Sequence, residues 1–220
     1  MRSRSGRSSA RQPAAGRQRG FSMIELLVVC AIVLVLAAIA TPNFIEAIAN
    51  IRLRNSANSV AGLLQEARLR AVRDNKYYTV RANSTNQAYI DLGGPGAAAT
   101  DGSGNNAWEP GGSSVTPEPL VQLSGTTQFA QTGAPTFADS LMVGTGSVIQ
   151  GDSPLRVSFN SRGLPCTMSG SLCKNITSSG NPVAYVYFLT DLRPLNGWAA
   201  VSVSPAGRVK VWFYNGSAWK

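Results

Sequence analysis

The chain has 220 residues, a formal charge of +9, three cysteines and no histidine. A chain without histidine lacks the side chain that most often serves as metal ligand or general base near neutral pH, which excludes the common His-based hydrolases and metal centres. Six of its 20 basic residues are arginines within residues 1–20, so removing that segment leaves 14 basic against 11 acidic residues, a formal +3. The basic total is therefore mostly a property of the N-terminus and is not by itself a sign of nucleic-acid binding.

Residues 1–20, MRSRSGRSSARQPAAGRQRG, carry no acidic residue and no apolar periodicity. They read as a basic leader that stays cytoplasmic while the following segment enters a membrane. Residues 21–41 form the apolar run. From Phe21 to Ala40 there are twenty residues, of which only Ser22 and Glu25 are clearly polar. As a helix that length spans about 30 Å, the hydrocarbon thickness of a bilayer. A carboxylate inside a membrane helix costs about 2.5–3.5 kcal/mol on insertion scales, so Glu25 calls for a function and a partner. Two simpler readings compete. Ala38-Ile39-Ala40 could end an ordinary secretory signal peptide, and the run could be a plain anchor. Neither accounts for Gly20, Phe21 and Glu25 together.

Residues 42–76 continue as an amphipathic helix. Pro42 should kink the helix or end its membrane part. Beyond it Phe44, Ile48 and Ile51, then Val60, Leu64, Ala67 and Ala71, recur at spacings of three and four, giving one face for a sheet. Residues 77–220 read as a soluble β-rich domain. Tyr77–Ala82 and Ala88–Leu92 should form a hairpin. Residues 93–119, with seven glycines and four prolines, read as a flexible loop. Asp101, Ser103 and Asn105 within it are arranged faintly like a calcium loop, but the glycine and glutamate that such a loop needs are missing. Later strands are expected at Leu120–Leu123, Ser140–Val143, Leu155–Phe159, Ala184–Leu189, Ala199–Val203 and Arg208–Tyr214. Turns such as Asn160-Ser161-Arg162-Gly163 and Pro205-Ala206-Gly207 separate several of them. The fold class is α+β, with a long N-terminal helix on antiparallel β-sheets.

Cys30 lies in the apolar run. Cys166 and Cys173 lie in a Ser- and Gly-rich stretch, and in an exported domain a disulfide is the natural reading, with free thiols as the alternative. A zinc site lacks the ligands it would need. No nucleophile elbow, phosphate loop or Cys/His pair is present, so the chain reads as a structural protein with no cofactor and no metal.

The register Arg19-Gly20-Phe21-Ser22-Met23-Ile24-Glu25-Leu26-Leu27-Val28 resembles the class III signal of type IV prepilins and type II secretion pseudopilins. That resemblance implies a type IV pilin-like fold and a cut between Gly20 and Phe21 by a prepilin peptidase. It implies N-methylation of Phe21, and assembly in which Glu25 pairs with the N-terminal amine of a neighbouring pilin subunit. It further implies a single-pass protein of the bacterial inner membrane, with the leader cytoplasmic, the C-terminal domain extracytoplasmic and the assembled protein in a filament. Leu64-Gln65-Glu66-Ala67-Arg68-Leu69-Arg70-Ala71-Val72, the strand and turn Val157–Gly163, and Val201–Lys210 are similar to segments of the GspH/FimT group of minor pilins and pseudopilins. Some of that group take up DNA, and Gly207-Arg208-Val209-Lys210 resembles their Gly-Arg-x-Arg element. Arg208 and Lys210 alternate on a strand and project from one face, with Trp212 beside them and Trp219 near the end for stacking on bases. The competing reading is a solvated edge strand protected by its cations.

Overall fold

The computed structural model describes residues 21–84, 86–92, 119–142, 147–150, 156–169, 172–174, 177–178, 181–191 and 197–220. The basic leader with Gly20, and the Gly/Pro-rich segment at 93–118 with its calcium-like residues, lie outside them. The chain divides into two compact units between Asn43 and Phe44. One helix, α1 (Met23–Arg73), has residues in both.

In the first unit every residue described from Phe21 to Thr41 is exposed. Phe21, Ile24, Leu34 and Ile39 keep 78%, 70%, 70% and 66% of their surface. The helix here is apolar all round, as expected of a segment covered by something other than its own chain. Helical assignment continues through Pro42.

In the second unit α1 is one-sided. Ala57, Val60, Leu64, Ala67 and Ala71 have no exposed surface, while Ile51, Leu69 and Val72 on other faces remain exposed. The buried row is spaced by three and four, and its alanines let backbone approach backbone. The helix ends in a Schellman arrangement: the Lys76 amide donates to Ala71 O, and the Asn75 amide to Val72 O. Asn75 supplies the left-handed residue, with φ of 51°. Arg73 and the Tyr78 hydroxyl both donate to Asp74, at 2.7 and 3.0 Å. Those hydrogen bonds, Arg73's first, lower the Asp74 pKa to about 2.

The strands are β1 (Tyr78–Ser84), β2 (Gln87–Asp91), β3 (Leu120–Gln122), β4 (Thr127–Phe129), β5 (Ser147–Gln150), β6 (Arg156–Phe159), β7 (Pro165–Ser169), β8 (Leu172–Lys174), β9 (Thr177–Ser178), β10 (Asn181–Asp191), β11 (Trp198–Val203) and β12 (Val209–Phe213). They form one sheet in the order β3-β2-β1-β6-β7-β8 and another in the order β12-β11-β10-β4. The expected β1–β2 hairpin is present, with Val80 opposite Ile90. The architecture is the expected helix followed by antiparallel sheets, with one exception in pairing: β5 runs parallel to β10. One expected strand is corrected. Ser140 lies in a short 3-10 turn, Asp139–Leu141, closed by the Leu141 amide on Ala138 O. Leu141 and Met142 are adjacent apolar residues rather than an alternating pair, and Met142 is buried under the second sheet's outer face.

Strand β10 is the centre of the second sheet. Tyr185, Tyr187 and Leu189 face the core shared with α1, while Ala184, Val186 and Phe188 face a second cluster with Phe137, Trp212 and Trp219. A strand covered on both sides reads as a continuous apolar run, which is what VAYVYFL is. Burial pushes the Tyr187 phenol well above its ordinary pKa, and its hydroxyl donates to Arg156 O at 2.6 Å. In the first sheet, buried Asp91 accepts from Arg81 Nε at 2.8 Å across the β1–β2 hairpin.

Two turns meet on the helix. Asn160–Gly163 and Ser204–Gly207 are built alike. The Gly163 amide donates to Asn160 O and the Gly207 amide to Ser204 O, each at 2.8 Å. Gly163 has φ of 73° and Gly207 of 76°. A Cβ on Gly207 would lie 2.2 Å from Gly163 O and 3.0 Å from Arg68 Nε, and one on Gly163 would lie 3.1 Å from Arg68 Nε. Arg68 thus lies against both turns. Gly207→Ala meets a left-handed backbone and a main-chain oxygen that cannot rotate away. Chemical denaturation should show a loss above about 2 kcal/mol. Gly216, with φ of 95° and open space around it, provides the control. Gly216→Ala should cost only the backbone strain, about 1 kcal/mol.

Candidate functional site

Two places hold the residues that the sequence singles out: the start of α1 and the hairpin of β11 and β12. At the first, Phe21 and Ser22 precede the helix. Ser22 O accepts from the amides of Glu25 at 3.0 Å and Leu26 at 3.2 Å, which closes the first turn. Glu25 lies in that turn, where the free amides of a helix N-terminus favour a negative charge. Glu25 is exposed and makes no ion pair among the described residues. Phe21 and Glu25 thus bracket the first turn of a helix whose next four or so turns, Leu26 to Ala40, carry no charged side chain. The helix is long and apolar enough to cross a membrane, and none of its apolar window is buried.

At the second place, Arg208 and Lys210 are exposed and flank one end of the hairpin. The structure brings them together as expected: both line a cleft of about 290 Å³ with Ser202, Ser204, Met142 and Trp212. The expectation for the tryptophans is corrected. Trp212 is on the same face but only 6% exposed, and Trp219 is 7% exposed. Lys210 Nζ sits 3.3 Å from the Trp212 ring centroid, and the indole N–H donates to Ser202 Oγ at 2.8 Å. Trp219 donates to Thr136 O and packs against Phe137. Both rings are spent on the second core cluster, so neither offers a face for a base to stack on.

The remaining predicted residues are placed apart from these. Cys30 is a free, exposed thiol on α1. Cys166 is disulfide-bonded and buried in β7. Cys173 lies in the adjacent β8, where its backbone partner is Met168. A second cleft, of about 500 Å³, lies between α1 and the C-terminal strands, where Arg54 stacks over Phe213 at 4.7 Å. Nothing in sequence spacing pairs those two. Among the described residues no group of three or more His, Cys, Asp or Glu could hold a metal.

Residues 16–41 match the family profile of the prokaryotic N-terminal methylation motif. The chain carries a prepilin-type N-terminus. The match spans Gly20, Phe21, Glu25 and the apolar run, the residues on which the sequence resemblance rests. Two crystal structures of the type IV minor pilin FimU from Pseudomonas aeruginosa are similar to the chain. One has 15% identity and a TM-score of 0.44, covering 78% of this chain and 94% of the other. The second has 16% identity and a TM-score of 0.40, covering 76% and 97%. No curated protein sequence matches the chain.

The hydrogen bond under Trp212 generates a test. Ser202→Ala leaves a buried indole N–H without its acceptor, which should cost about 1–3 kcal/mol. Urea denaturation should show that loss, while Ser204→Ala at the partly exposed turn should cost about 1 kcal/mol or less.

Proposed function

We propose that this chain is a minor pilin or pseudopilin of the GspH/FimT kind, a structural subunit of a type IV pilus or a type II secretion pseudopilus. The observation that carries the reading is a coincidence of three features within residues 16–41. The methylation motif is present, every apolar side chain described within it is exposed, and the one acidic residue of the run lies in the first helical turn.

The chemistry follows from those residues. The six leader arginines hold the N-terminus on the cytoplasmic side of the inner membrane. A prepilin peptidase cuts between Gly20 and Phe21, removes that charge and creates one new ammonium at Phe21. N-methylation keeps the nitrogen cationic and makes it more apolar. In a helix bundle Glu25 of one subunit meets the Phe21 ammonium of another, and each offsets the other's desolvation. The pairing favours assembly over the lone membrane state, because the lone state leaves a carboxylate in hydrocarbon. Pro42 marks where the helix leaves the bundle, and the extracytoplasmic domain follows.

Export also accounts for the cysteines. Cys166 is disulfide-bonded and Cys30 is free, so Cys173 is the partner we assign. Cys166 lies in β7 and Cys173 in β8, and those two strands pair antiparallel. Closing so short a loop stabilises by about 2–3 kcal/mol in the chain-entropy account.

Mass spectrometry of the mature protein should find N-methylated Phe21 at its N-terminus. An N-terminus at Thr41 would instead establish an ordinary signal peptide and overturn the proposal. The pairing has its own test. Glu25→Val should enter the membrane normally but fail to assemble. Breaking a buried ion pair costs about 3–5 kcal/mol, so incorporation into filaments should fall more than about a hundredfold. Normal incorporation of that variant in sheared-filament fractions would refute the role of Glu25 while leaving the maturation step standing.

A further inference from the structure

Strand β12 ends the second sheet, and its outer edge is only partly used. The Phe213 amide donates to Lys220 O at 2.9 Å, and Phe213 O accepts from the Lys220 amide at 3.0 Å. Tyr214 and Trp219 bridge beside them. The tail Ala218–Lys220 is thus a short antiparallel addition to one end of β12. Outward-facing backbone groups alternate along a strand, so Val211 and Val209 present theirs on the same edge as Phe213. Among the described residues no strand pairs with them. Among the described residues the edge accepts a strand at its C-terminal end and is otherwise unpaired along the hairpin.

The side chains beside that open stretch are cationic. Arg208 and Lys210 project over the cleft of about 290 Å³, and none of the described residues that line it is a carboxylate. Neither makes an ion pair among the described residues. Leu141 and Met142 give the cleft an apolar wall, and Ser202 and Ser204 bring hydroxyls to it.

We propose that this edge and cleft dock an extended acidic segment of a partner protein. The segment adds to β12 as a further strand, hydrogen-bonded to Val209 and Val211. Its residues opposite Lys210 and Arg208 are Asp or Glu, since directly opposed residues of neighbouring strands share a face. Three observations favour a peptide over a nucleic acid. The open groups are main-chain donors and acceptors in strand register, which match another backbone. The indole faces that would stack on bases are buried. The wall of Leu141 and Met142 suits the methylenes of a glutamate better than a sugar-phosphate chain. The inference does not rest on filament assembly, and peptide binding reads it whether or not the Gly20–Phe21 cut occurs.

The test uses the full chain in detergent and a fluorescent peptide of alternating Glu and Thr, followed by anisotropy. The comparison probes are the same peptide with Gln for Glu and a single-stranded oligonucleotide. The Glu peptide should bind, with the Gln peptide about tenfold weaker. Arg208→Gln with Lys210→Gln should bring the Glu peptide down to the Gln level. Val211→Pro removes one outward N–H at an edge position where proline is tolerated, and should abolish binding of both peptides. Hydrogen exchange gives a readout that needs no variant: the Val209 and Val211 amides should slow when the Glu peptide is bound. Equal binding of the two peptides, unchanged exchange at both valines, or an oligonucleotide that displaces the peptide from the same cations would each overturn the proposal.

Discussion

The apolar surface at the start of α1 cannot stay in water. Between Phe21 and Ile39 the large side chains stand half to nearly nine-tenths exposed, on every side of the helix. Each would gain roughly 1.5–3 kcal/mol on leaving water. A single chain has nothing to cover them with, because its own sheets take only the buried row from Leu53 to Ala71. The segment therefore has to be solvated by lipid or by other helices. Glu25 distinguishes between those solvents, since lipid gives a carboxylate no partner and a bundle of like helices can. Under the proposed function, that constraint is what links the N-terminal motif to assembly.

The two parts of α1 show how one secondary structure can carry two kinds of information. Its first part is specified by composition alone, with no preferred face. Its second part is specified by position, with Ala57, Val60, Leu64, Ala67 and Ala71 in a row that matches the inward residues of β1, β2, β10 and β11. Phe44 and Ile51, expected on the same face, are exposed and the buried row starts at Leu53. The stretch from Val60 to Ala71 was legible in the sequence, because a period near 3.6 is set within one segment. So were the hairpin β1–β2 and the strands β10 to β12, whose apolar runs are long enough to declare themselves. Strands β4, β5, β7, β8 and β9 were not, because TQF, SVIQ, PCTMS, LCK and TS are short, carry few adjacent apolar residues and do not stand out from the loops around them. They are strands because an existing strand offers them an edge. β10, eleven residues long, pairs with three of them besides β11.

The candidate sites divide the same way. The N-terminal motif was readable since it depends on spacing along the sequence, and residues 16–41 match the methylation-motif profile. The alternation of Arg208 and Lys210 was readable, although Arg208 precedes β12 and only Lys210 lies within it. The fate of Trp212 was not, because its cover comes from Phe137 and Trp219, residues far away in sequence and close only in the fold. The contact between Arg54 and Phe213 was hidden for the same reason. The turns at Gly163 and Gly207 were visible as turns, while their meeting on Arg68 was not.

That meeting has an evolutionary consequence. Arg68, Gly163 and Gly207 come from a helix and two separate hairpins, yet the space at each is set by the other two. A larger residue at either glycine asks the helix to give up its arginine, and a shorter residue at 68 leaves both turns without a cover. The three positions should thus drift as one, in step across related chains. The turn at Asn215–Ser217, with nothing near Gly216, is free to change its sequence and even its length.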